Sequence, residues 1–216
     1  MFKKAFVISV LLFSSNFLVA QSSVGLSLQA GGFFPIGNFS NIYEAGLGGT
    51  ATLYFNVDKN FEVGISGGYI KYNFNTSGLN KEASDQLGTA ITIKIDAPLT
   101  IIPLMLSGRY IFESSRLKPY IIGELGAHYV SMDFPSFNIG NELIDLNETA
   151  SDIVVGFGAG VGFLFKLDKG VYIDINGKIN GNTLSVNEFQ SSDSGDNFTE
   201  RTATWLSVMA GIHFEL

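Results

Sequence analysis

Two histidines, His128 and His213, are all that this chain offers for imidazole chemistry, and it has no cysteine. His128 is followed by Ser131 and Asp133, the residue types of a base, a nucleophile and an orienting carboxylate. Their spacing matches no motif, and a histidine turned to the surface or the interior of a sheet is the plainer reading. His213 has no comparable set beside it. The run SSDSGDN (191–197) combines acid with glycine but lacks the ordered ligand spacing of a calcium loop. The glycines of GFGAGVG (156–162) look superficially like a phosphate cradle, yet they alternate with apolar residues and no helix follows. A last constellation is electrostatic. Arg109, Glu124, Asp174 and Lys178 stand inside otherwise apolar segments, so opposite charges are expected to pair in a polar cluster, with Arg109 and Glu124 the best candidates. No catalytic, metal-binding or cofactor-binding residue is assigned, and no cofactor is called for.

The elements that must position these residues are strands. Glycine is abundant at 25 residues, phenylalanine and tyrosine number 19 and 8, and proline only 5, a balance that suits strands joined by tight turns. Apolar and polar residues alternate with a period of two over 23–33, 47–57, 60–72, 99–112, 117–130, 152–166, 170–184 and 201–216. Each is long enough for a tilted spanning strand of roughly 9 to 11 residues. The connections, 34–46, 58–59, 73–98, 113–116, 131–151, 167–169 and 185–200, run long, short, long, short, long, short, long. Antiparallel neighbours put alternate connections on opposite rims, so all the long ones fall on one side, the pattern of an outer-membrane barrel. Asp58, Ser114 and Ser115, and Asp168 with Gly170, supply turn chemistry on the short side. Pro103 is awkward, because it cannot donate to a ladder; it is expected near the outer rim or at a bulge.

The chain opens with Lys3 and Lys4, an apolar run from Ala5 to Phe13, and small and apolar residues closing at Ala20. That layout is expected of a cleaved signal peptide, 1–20, followed by one domain, 21–216. Cleavage would leave 196 residues and move the net charge from −7 to −9. An acidic chain is a poor partner for nucleic acid, whose binding rests on basic contacts to phosphate. An exported chain without cysteine has no disulfide framework. No later stretch is apolar for long enough to cross a bilayer as a helix, and the remaining way across is a closed barrel.

Sorting faces by apolarity turns Leu104, Leu106, Tyr110 and Phe112, Ile121, Leu125 and Tyr129, Val155, Phe157, Val161, Phe163 and Phe165, and Val171, Ile173, Ile175 and Ile179 outward. A Lys or Arg facing mid-bilayer would cost about 2 to 4 kcal/mol, and this set contains none. Phe112, Tyr120, Tyr129 and Phe214, near segment ends, are expected in interfacial girdles. Arg109, Glu124, His128, Asp174, Asn176, Lys178 and Asn180 then face inward beside Gly156, Gly158, Gly160 and Gly162. An eight-stranded interior is just wide enough for side chains to fill, so a plugged lumen is expected, the glycines leaving room for longer neighbours.

The stretches FFPIGNFSNIYEAGLGG (33–49), IPLMLSGRYIF (102–112), KPYIIGELGAHY (118–129) and GIHFEL (211–216) resemble the small outer-membrane β-barrel family related to OmpA- and OmpX-type domains. The resemblance implies an all-β fold, an eight-stranded antiparallel up-and-down transmembrane barrel in the outer membrane of a Gram-negative bacterium. It also implies a C-terminal signal read by the barrel-assembly machinery, here Gly211, Phe214 and Leu216. The chain departs from that signal in ending on Leu216 rather than an aromatic residue and in having Met209 where a polar residue is usual. The function expected is structural or surface-interacting and non-enzymatic, with the bilayer as one partner and an extracellular ligand at the long loops as another. The alternatives are a narrow porin-like pore for small or hydrophobic solutes and a lipid-modifying barrel enzyme built on His128.

Overall fold

The computed structural model describes residues 24–76, 97–112, 116–134, 137–139, 142–144, 148–183 and 202–216; the expected signal peptide lies outside them. Period-two alternation becomes strand throughout. Eight long strands, β1 (Val24–Ile36), β2 (Gly46–Asn56), β3 (Phe61–Tyr72), β4 (Leu99–Ile111), β5 (Leu117–Phe134), β8 (Glu148–Asp168), β9 (Val171–Asn182) and β10 (Ala203–Glu215), form one ring. Around it the order is β1-β10-β9-β8-β5-β4-β3-β2, and the barrel is closed. Every neighbouring pair is antiparallel, and β1 meets β10 from Gly25↔Glu215 to Ile36↔Thr204. Closure leaves no lateral row of unpaired backbone groups around the ring.

Short connections join β2 to β3, β4 to β5 and β8 to β9 on one rim, which also holds the start of β1 and the end of β10. The β8–β9 turn is the tightest. Gly170 takes a φ of 73° there, and the register slips by one residue between Lys166 and Asp168. A glycine in the left-handed region beside a bulge is how a hairpin of this length keeps its twist. On the other rim, α1 (Phe39–Ile42) is a single helical turn in the first long connection. The third connection carries a hairpin of β6 (Phe137–Ile139) and β7 (Glu142–Ile144), which the sequence pattern does not announce.

The faces follow the alternation. Leu104, Leu125, Val161 and Ile179 turn outward at 63, 61, 58 and 58% exposure, while Arg109, Asp174 and His213 lie inside and are buried. Two expectations, the place of Tyr120 and the ends of β5 and β8, need correction, and Pro103 needs a finer description. Tyr120, expected in a girdle, points inward and is buried, because it has the opposite parity to outward Ile121. Pro103, expected near the outer rim or at a bulge, lies in the part of β4 toward the long-connection rim and in no bulge. Pairing of β3 with β4 lapses between Gly67↔Leu104 and Ile70↔Ile101 and resumes in the same register, so the missing donor interrupts the ladder without adding a residue. Finally, β5 and β8 run past the expected ends at 130 and 152. Their ladder continues to Phe134↔Glu148, held by backbone pairing and by the Thr149 hydroxyl, which donates to Asp133 at 3.0 Å.

The interior is stacked in three tiers. Nearest the short turns, Ile111, Tyr120, Ile122, Leu164 and Tyr172 form an apolar cluster. Charged and polar side chains fill the middle. Toward the long connections, Phe33, Phe39, Tyr43, Ile70, Tyr72, Leu99, Ile101, Trp205 and Met209 belong to a second apolar cluster.

Candidate functional site

The middle tier is built around Arg109. Its Nε donates to Glu62 Oε2 at 2.7 Å and one terminal nitrogen lies 2.5 Å from the same oxygen. The other terminal nitrogen lies 3.5 Å from Asp174 Oδ2. Ser27 Oγ donates to Asp174 at 2.9 Å and the Tyr120 hydroxyl does so at 2.6 Å. The guanidinium lies over the Tyr54 ring at 3.8 Å and faces that of Tyr120 at 5.0 Å, so its charge meets two carboxylates and two π faces. Higher up, Lys178 Nζ donates to Glu124 Oε2 at 2.7 Å, and Asn180 Nδ2 donates to Ser207 Oγ at 3.0 Å.

Arg109 therefore does not pair with Glu124. Register explains the difference. Glu62 stands directly opposite Arg109 across β3 and β4, whereas Glu124 stands opposite Ser107, one inward position farther along. Sequence reasoning misses Glu62 as a site residue, although its inward parity is readable. Lys178 reaches Glu124 over the glycines of β8. A Cβ on Gly158 would sit 2.9 Å from Asn180 Oδ1 and 3.3 Å from Glu124 Oε2, and one on Gly162 would meet the Tyr120 ring. Small residues in this row make the space that the long polar side chains occupy.

The structure separates the residues that could have formed a hydrolytic set. His128 faces inward and is buried, 3.5 Å from Asn182 and with its ring 5.6 Å from that of Trp205. Ser131 and Asp133 have the opposite parity, and Asp133 is exposed. His213 is enclosed between Tyr54 and Tyr172, with ring centroids 5.9 and 6.1 Å away. No group of three or more His, Cys, Asp or Glu side chains able to hold a metal occurs among the described residues. The acidic run 191–197 lies outside them. Of the residues assigned to an assembly signal, Gly211 packs against the Leu28 backbone, Phe214 is half-buried opposite Leu26, and Leu216 is exposed while its amide donates to Val24 O at 2.7 Å.

Above the charged tier the lumen narrows to a cavity of about 30 Å³, room for about two waters. Glu124, His128, Lys178 and Asn180 line its polar side, and Met105, Trp205 and Met209 its apolar side. Aromatic rings close it from above. The Phe39 ring lies 5.2 Å from Tyr43, 5.3 Å from Tyr72 and 6.2 Å from Trp205. Backbone bonds fasten this cap to the β3 side: Glu44 N donates to Asn73 O at 2.9 Å and Asn75 N to Ile42 O at 2.8 Å. Burial raises the Tyr43 hydroxyl well above its ordinary ionisation range, so it stays a neutral phenol. Nothing in sequence periodicity marks Phe39, because it comes from a one-turn helix in a connection.

No family model and no curated protein matches the sequence. Solved structures do match in fold. Neisserial surface protein A aligns with a TM-score of 0.54 at 13% identity, over 91% of this chain and 98% of that one. A major outer membrane protein from Thermus thermophilus aligns with a TM-score of 0.56 at 11% identity, over 91% of this chain and all of that one (100%). The chain thus has the closed eight-stranded antiparallel barrel fold in common with a bacterial surface protein and an outer-membrane protein.

Proposed function

We propose that the chain is an integral outer-membrane barrel, non-enzymatic, that acts at the cell surface through its four long connections while its lumen stays plugged. One observation carries this reading: the molecule is apolar outside and charged inside. Large aliphatic and aromatic side chains turn outward on strands all round the barrel, among them Leu28, Leu53, Ile65, Leu106, Leu125, Phe163, Ile175 and Val208. A soluble protein rarely exposes so extended an apolar surface, whereas a bilayer requires one. Long loops carried on a rigid scaffold are the natural place for recognition. The third and fourth connections contain Asp133, Glu142, Asp145 and Glu148, and Glu188, Asp193, Asp196 and Glu200, with no lysine or arginine in either. That acidity suits a cationic partner, whose binding would weaken with added salt. The end of β10, with Gly211, Phe214 and Leu216, is the segment proposed for recognition by the barrel-assembly machinery.

Fractionation tests the reading. The protein should be recovered in outer-membrane fractions, migrate faster on gels when unboiled, and be cleaved by protease in its long connections on intact cells. Recovery in the soluble exported pool would overturn it.

A further inference from the structure

The apolar tier beneath the long connections contains polar atoms without a bonding partner among the described residues. Tyr43 Oη, Tyr72 Oη and Trp205 Nε1 are buried with no hydrogen-bond partner there, on side chains of residues only 4, 0 and 1% exposed. Buried tyrosine and tryptophan polar atoms normally find partners. These three belong to the three rings packed around Phe39, and a phenyl ring can offer them no conventional hydrogen bond. The three are anchored by backbone pairing: Tyr72 and Trp205 stand on β3 and β10, and Tyr43 is bridged to Phe74. Phe39 instead sits on a single helical turn rather than on a strand; the backbone bonds that fasten this turn to the β3 side run through Ile42 and Glu44, so rotation of the Phe39 side chain breaks none of them.

We propose that Tyr43, Tyr72 and Trp205 form a binding box for a small aromatic ring bearing a hydroxyl, a phenol-like ligand, and that Phe39 occupies the box in its place. The ligand's ring takes over the edge and tilted contacts of the Phe39 ring, and its hydroxyl bonds the polar atoms that Phe39 leaves unpaired. A pocket filled by the protein's own side chain until a better occupant arrives is a minor conformation made dominant by its ligand. Trp205 is the floor of the box and also lines the cavity beneath. The box lies inside the barrel and stands whatever the long connections contact at the surface.

Trp205 is the only tryptophan of the chain, so its emission reports on this site alone. The full chain, refolded into phosphatidylcholine vesicles, is titrated with phenol, with toluene as the same shape lacking the hydroxyl, and with tetramethylammonium as a cation. In Phe39→Ala, phenol is expected to shift Trp205 emission saturably and to bind about tenfold more tightly than toluene, the factor one well-placed hydrogen bond supplies. Wild type should respond at higher phenol concentrations, because Phe39 competes. Adding Tyr72→Phe should lower the affinity for phenol and leave that for toluene unchanged. Equal affinities for phenol and toluene would overturn the proposal and leave a merely apolar hole. Tighter binding of tetramethylammonium would overturn it in favour of a cation cage. A folded Phe39→Ala barrel with no saturable response would overturn it outright. Folding is checked by the mobility shift on boiling, and if Phe39→Ala does not fold, Phe39→Leu, which frees part of the box, is read against the same outcomes.

Discussion

Arg109 has no exposed surface, and its partners Glu62 and Asp174 are nearly as deep. Removing one member of such a group leaves charge buried without compensation, which costs about 3 to 5 kcal/mol. Arg109→Leu is worse than a simple pair deletion, because two carboxylates lose their counter-charge together. We expect it to lower the free energy of unfolding, taken from urea titrations read by gel mobility in vesicles, by at least the upper end of that range. Lys118→Met provides the contrast. Lys118 bonds Glu215 at 3.2 Å at the short-turn rim, where the two side chains are 29 and 38% exposed, and an exposed pair contributes about 0 to 1 kcal/mol. Equal losses for the two variants would show that burial does not set the strength of the inner network. The alternation in sequence is enough to place Arg109, Glu124, Asp174 and Lys178 inside. It does not give their partners, because pairing depends on the register between strands and on which neighbours are small enough to reach across. Glu62 lies on an adjacent strand directly opposite Arg109, and Lys178 meets Glu124 only because Gly158 and Gly160 stand between them on β8.

Closure between β1 and β10 is where independent segments must become a ring. Gly31 and Gly211 both belong to the inner face of this seam. A Cβ on Gly211 would collide with the Leu28 carbonyl oxygen, and one on Gly31 with that of Val208. Because the obstacles are backbone atoms, no rotamer change relieves them. Gly211→Val is therefore expected to abolish the fast-migrating unboiled form, and Gly31→Val to do the same. Gly67→Ala on β3 should leave it intact, since nothing lies within 4 Å of the added Cβ. Loss of the folded band in all three variants would mean that glycine is needed for something other than close approach. At this scale the sequence is readable wherever one face meets apolar surroundings, which is why the eight long strands fall within a few residues of their expected ends. It fails where the pattern has no such contrast to follow. The upper ends of β5 and β8 continue on backbone pairing and one Thr149–Asp133 side-chain bond, β6 and β7 are only three residues each, and α1 is too short to show a helical period.

Across the whole molecule, the two apolar tiers act as seals in series on either side of the charged one. The upper seal rests on Phe39, Tyr72 and Trp205 and the lower on Tyr120, Leu164 and Tyr172. Ions could be stabilised at Arg109 or Lys178, but to arrive there they would have to shed water in an apolar constriction, and such constrictions block conduction by dewetting. Wild-type barrels in a planar bilayer should accordingly show no discrete current steps. Series closure makes a sharper demand. Trp205→Ala removes the largest side chain of the upper seal and opens the way to the cavity between Lys178 and Glu124, yet it should remain silent, because the lower cluster is untouched. Tyr172→Ala, thinning the lower seal alone, should be silent for the complementary reason. Only the double variant, confirmed as folded by its mobility before boiling, is expected to conduct. Its current should favour cations, since two charged side chains of positive sign, Arg109 and Lys178, face three of negative sign, Glu62, Glu124 and Asp174, in the tier the ions would cross. Conductance in either single variant would show that one seal suffices to close the lumen. Conductance in wild type would move the function from the surface to the pore.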